Sequence, residues 1–129
     1  WFLIATMIAA ARIVSFGPTP EAWSMAVIGV PLAVGWIAQV LIGSWTHLVP
    51  AIGPGDQVAH AAQRVRLGRW GTVRVVSWNA AVAAMTVGVF VDAGSVVIAG
   101  AVIVAACIAL AIGLLVPPGT IRHAGVQPV

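Results

Sequence analysis

Residues 22–49 read AWSMAVIGVPLAVGWIAQVLIGSWTHLV, a run without one charged side chain. It is long enough to cross a ~30 Å hydrocarbon core with tilt, which makes it a membrane span. Trp23 and Trp45 stand near its two ends, where aromatic belts form at bilayer interfaces. Pro31 predicts a kink inside the span. Pro50 and the GPG that follows predict its end at residue 49.

Three further apolar segments flank this one. Residues 1–16 come first and are slightly short for a span, closed by the breaker-rich GPTPEAW of residues 17–23. Arg12, near the end of this segment, can extend to the interface or pair inside the bundle. Residues 72–91 and 95–116 follow, joined by the tight turn VDAGS, with Asp92 and Ser95 as expected caps of the last helix. PPG at 117–119 predicts the end of that helix, and the tail beyond it has no periodic pattern. An apolar start at Trp1, with no basic region before it, is expected of a piece of a longer protein rather than of a signal peptide.

Composition supports the same class. The 129 residues are 61% hydrophobic and 7% charged, against about 25% charged in ordinary soluble domains. Such a chain cannot cover its surface with polar groups and needs an apolar solvent, the lipid bilayer. The expected fold is all-α: a single polytopic membrane helical bundle of about four transmembrane helices, with one short amphipathic surface helix. The high isoelectric point, near 11.3, reflects few charges, not a basic face with interleaved aromatics, so nucleic-acid binding is not expected. The lone cysteine, Cys107, excludes an internal disulfide and reads as a small buried packing residue.

The surface helix is read from DQVAHAAQRVRLGRW, residues 56–70. Val58, Ala61, Ala62, Val65 and Leu67 recur roughly at helical spacing among polar residues, and Asp56 is the expected N-cap. Its arginines are expected to face lipid phosphates. Arg64, Arg66, Arg69 and Arg74 lie in or beside this connection, and Arg122 lies in the tail. With four spans these fall on one side of the membrane, opposite Glu21, Asp92 and Arg12. The positive-inside rule then puts residues 51–71 and the C-terminus in the cytoplasm of a multi-pass cell-membrane protein.

Within the second segment Gly35, Gln39, Gly43 and His47 recur every four residues, making one drifting stripe along a helix. One reading is a helix-packing seam: the glycines admit a close neighbour and Gln39 bonds across the contact, with Asn79 of the third segment doing the same. The other is a cofactor pocket lined by Gln39 and His47. Neutral imidazole is a good ligand for haem iron and copper, but one histidine makes no metal site. His60 and His123 lie outside the spans, so the more direct role for His47 is an interfacial hydrogen bond. Arg74 and Trp78, four apart, are expected to form a cation–π pair. Trp45, Arg69, Trp70 and Arg74 are expected at the membrane interface. No nucleophile–base pair, carboxylate pair or phosphate-cradling loop is legible, so no catalytic residue is assigned.

WIAQVLIGSWTHLVPAIGPGD, followed by LGRWGTVRVVSWNAAVAAMTVG, resembles the multi-helix membrane region that precedes cupredoxin domains in certain actinobacterial multicopper-oxidase or nitrite-reductase-like proteins. The matching residues are Gly43, Leu48, Val49, Pro50, Arg69, Trp70, Arg74 and Asn79. The helix end is also distantly similar to cytochrome oxidase subunit I relatives. The resemblance covers residues 36–88. It implies the membrane portion of a copper- or haem-linked redox protein, anchoring or supplying a redox domain, with His47 as the residue that could bind a cofactor. Partners implied are further helices or a cupredoxin domain in a longer protein. The histidine-rich helix ends of those relatives are absent from this sequence, apart from His47. The alternatives are a non-catalytic anchor or scaffold and, on weaker grounds, a transporter fragment.

Overall fold

The computed structural model describes residues 1–20, 22–52 and 56–115. The GPG turn, Glu21, the PPG stop and Arg122 lie outside the described residues. All regular structure among them is helical. Helix α1 is Phe2–Phe16, α2 is Met25–Ile52, α3 is Gln57–Gly68, α4 is Gly71–Phe90 and α5 is Gly94–Leu115.

Helices α2, α4 and α5 are long and apolar enough to cross a membrane, with 28, 20 and 22 residues. Helix α1 has 15 residues, or about 22 Å, short of a ~30 Å core. Only 17, 33 and 22% of the most apolar windows of the three long helices are buried, so most of their side chains face outward. That distribution is stable only where the surroundings are themselves apolar. The chain is therefore a multi-pass membrane protein.

The second span departs from its expected end at Pro50 and winds irregularly at Pro31. It does not end at residue 49: Pro50 sits buried within the last turns and the helix continues to Ile52. At Pro31 the backbone adopts π-helical winding over Val30–Ala38. Proline lacks the N–H for the i−4 bond and its ring crowds the i−4 carbonyl, so a wider turn is a natural accommodation. One carbonyl of this stretch is recruited elsewhere: the Trp78 indole Nε1 donates to the Val34 oxygen at 3.0 Å.

Helices α4 and α5 form the most extensive contact, an antiparallel hairpin. Gly100 makes it close, since a Cβ there would lie 2.9 Å from the Ala81 carbonyl oxygen and collide with Met85. Trp78, Ala81, Val82, Met85 and Val104 form the core, flanked by Val34 and Ile42 of α2 and by Trp1. The hairpin turn uses Asp92 differently from the expected N-cap. Asp92 has φ 54, the left-handed conformation, and the Ala93 N–H donates to the Gly88 oxygen at 2.8 Å. That pattern is a Schellman end to α4, with aspartate in the place glycine usually takes. The Ala93 carbonyl then accepts from Val96 and Val97 to begin α5.

Helix α3 starts as the sequence predicts, with the Asp56 side chain accepting from the Ala59 N–H at 2.9 Å. It crosses the end of the bundle, and Arg66 Nη2 donates to the Gly113 oxygen near the end of α5 at 3.4 Å. Leu67 is buried against the bundle, whereas Val58, Ala61, Ala62 and Val65 are exposed. Those four, spaced i, i+3, i+4 and i+7, form an apolar stripe on the face opposite Leu67.

Candidate ligand-binding cavity

A cavity of about 480 Å³ opens between the second half of α2, the last turns of α3, the first turns of α4 and Cys107 of α5. Ile42, Leu67, Val75 and Trp78 supply its apolar walls; Gln39, Thr46, His47, Arg64 and Arg74 supply its polar groups. Among the described residues no carboxylate lines it. Gly43, Gly68 and Gly71 also line it, and a Cβ at any of the three would meet nothing within 4 Å.

Arg74 is the most constrained of the polar groups. Located in the first turn of α4, it is half-buried and donates from Nη2 to the Leu67 carbonyl at 2.9 Å, covering the end of α3. Its Nη1 is buried and has no hydrogen-bond partner among the described residues. A guanidinium carries five N–H donors, so a buried nitrogen left without an acceptor is costly. The expected cation–π pair with Trp78 is not the arrangement found. Arg74 turns to Leu67 and Trp78 to Val34, and a cation–π contact is made instead by Arg12, 5.1 Å above the Phe16 ring. Arg12 also donates from Nε to the Ala22 carbonyl, at 3.2 Å.

The residues of the predicted stripe separate by role. Gly35 is at a close contact: a Cβ would stand 2.7 Å from Trp1 Cγ. Gln39, Gly43 and His47 line the cavity. A Cβ at Gly43 meets nothing within 4 Å among the described residues, because the stripe passes from the α1 side of the helix to an open space. His47 is exposed, and its imidazole makes no hydrogen bond with the described residues, so the expected interfacial bond is absent within them. Asn79 does bridge elements, since its Oδ1 accepts from Trp1 Nε1 at 2.6 Å while Nδ2 donates to the Val75 oxygen. Trp45 and Trp70 are each 59% exposed, and Arg69, next to Trp70 in sequence, is also exposed.

Thr46, Arg64, Trp78 and Cys107 join the cavity without having been marked for it in the sequence. For Arg64 the signal is its spacing to Leu67, i to i+3, on the side of α3 away from the apolar stripe. Cys107 is half-buried and its Sγ is 3.9 Å from the Arg74 carbonyl oxygen, a weak contact. Among the described residues no group of three or more His, Cys, Asp or Glu stands together to hold a metal.

Comparison of the chain with protein-family models, with curated proteins and with solved structures found no match.

Proposed function

We propose that this chain is a membrane-embedded binding module, a helical anchor that holds a ligand in the cavity between α2, α3 and α4 rather than transforming it. The observation that carries this is the cavity of about 480 Å³ itself, whose described lining sets Arg64 and Arg74 beside the apolar walls of Ile42, Leu67, Val75 and Trp78. The lining supplies donors, one charge-bearing wall and an apolar floor, which are the means to bind and orient. Its cavity end is the arginine-rich end, and the positive-inside rule assigns that end to the cytoplasm. The test is occupancy. Gly43→Leu should fill the cavity without straining a helix contact, and should abolish whatever ligand copurifies with the wild-type chain. Unchanged occupancy in that variant overturns the reading.

A redox-linked role is the second reading, favoured by Gln39 and His47 lying on the same cavity wall. A haem or copper centre there would need a further ligand from outside the described residues. His47→Ala in protein purified from cells supplied with copper and haem decides it. Loss of a Soret band or of stoichiometric copper supports the redox role, and unchanged content removes it.

A further inference from the structure

Resting on the reading of this space as a binding cavity, we infer that its occupant is the negatively charged headgroup of a membrane phospholipid, received by Arg74 with Arg64 beside the opening. Three observations converge on that chemistry. Arg74 and Arg64 both line the space, and a phosphate oxygen is the acceptor whose geometry and charge suit a guanidinium best. Among the described residues the lining has two arginines and no carboxylate, so a zwitterionic head would bring an ammonium group with no described anion to meet it. The walls at Ile42, Val75 and Trp78 are apolar and belong to spans, so an acyl-linked glycerol can follow the head into the space without leaving an apolar surface. Gln39 and Thr46 offer hydrogen bonds to a headgroup hydroxyl.

The position of the cavity makes the bilayer the source. Arg74 lies in the first turn of α4, about 5 Å along the axis from its start, which is headgroup depth for a span. Helix α3 covers the same end with its apolar stripe outward, where an interfacial helix meets lipid.

The test uses the full chain in detergent, titrated with short-chain phosphatidylglycerol, short-chain phosphatidylcholine or inorganic phosphate, with bound lipid counted by native mass spectrometry. Wild type should bind phosphatidylglycerol at least about tenfold tighter than phosphatidylcholine, equivalent to 1.4 kcal/mol. Arg74→Gln should remove that ratio, while Arg69→Gln, which deletes the same charge outside the cavity, should keep it. Equal affinity for the two lipids in wild type, or an unchanged ratio in Arg74→Gln, overturns the inference. Inorganic phosphate displacing phosphatidylglycerol at equal concentration overturns the lipid source, because the apolar walls would then contribute nothing. Gly43→Leu should weaken both lipids. If it does so while the wild-type ratio is unity, the cavity binds but not through charge, and only the anionic assignment falls. If Gly43→Leu alters no binding, the cavity reading falls with it. The wild-type ratio and the Gly43→Leu arm decide the matter even if Arg74→Gln does not fold.

Discussion

The Trp78 indole nitrogen donates to the Val34 carbonyl oxygen at 3.0 Å, joining the core of α4 to the π-wound stretch of α2. Trp78 is only 5% exposed and also lines the cavity, so one side chain couples the irregular winding to the shape of the binding space. Trp78→Phe keeps most of the apolar volume and deletes the donor. It should lower stability in detergent by about 1–2 kcal/mol, the cost of leaving a part-buried acceptor unmet. Thermal unfolding monitored by circular dichroism measures this. No change would mean that the Val34 carbonyl is satisfied without the indole.

Gly35 and Gly43, two turns apart on α2, should respond oppositely to the same substitution. An added methyl at Gly35 lands 2.7 Å from Trp1 Cγ, so Gly35→Ala should displace Trp1 and cost about 1–3 kcal/mol. The Trp1–Asn79 hydrogen bond should be strained with it. At Gly43 the same methyl meets open space, and the gain in helix propensity should leave the protein as stable or up to about 1 kcal/mol more so. Paired melting curves in one detergent decide this. Destabilisation at Gly43 and tolerance at Gly35 would contradict the packing described.

Part of this arrangement was legible in the sequence. Long apolar runs bounded by tryptophan, proline and glycine sufficed for the three long helices, because length and hydropathy are local quantities. Asp56 was legible as a cap because its partner, the Ala59 N–H, lies three residues away. Pro50 was misread because a proline near a helix end can keep helical φ, and only the surrounding packing decides whether the helix goes on. The stripe of Gly35, Gln39, Gly43 and His47 was visible as a face, but not its division into a contact with Trp1 and a cavity wall. That division depends on which helix lies alongside at each turn. The same holds for Arg74, whose nearness to Trp78 in sequence suggested a ring contact until the end of α3 supplied a carbonyl.

Trp70 occupies a backbone conformation that its side chain disfavours. It precedes α4 with φ 63 and ψ 12, left-handed, and its ring is 59% exposed. Because the Cβ crowds the carbonyl there, a non-glycine residue carries a cost of roughly 1–2 kcal/mol. Trp70→Gly should therefore be at least as stable as wild type in detergent, where the aromatic anchor counts for little. Trp70→Val, β-branched at the same φ, should be lower by about 1 kcal/mol. If chemical denaturation ranks valine above glycine, the left-handed turn is not present in solution.

The orientation of α3 joins topology to the lipid-facing stripe. Val58 and Val65 are 76% and 78% exposed, while Leu67, on the opposite face, is 2% exposed. If the helix lies in the interface with that stripe toward the acyl chains, a fluorophore on Val65→Cys should be quenched by nitroxide-labelled lipid. One on Gln57→Cys, at the polar start of the helix, should be quenched less. Both need Cys107→Ala as background, since Cys107 is the sole native thiol. The same Gln57→Cys protein reports the side of the membrane. With the arginine-rich end inside, an impermeant maleimide should fail to label it in intact cells and succeed in inverted vesicles. Efficient labelling from outside would turn the bundle over and carry the cavity with it to the other leaflet. Equal quenching at both positions would instead leave the topology standing and lift α3 off the bilayer.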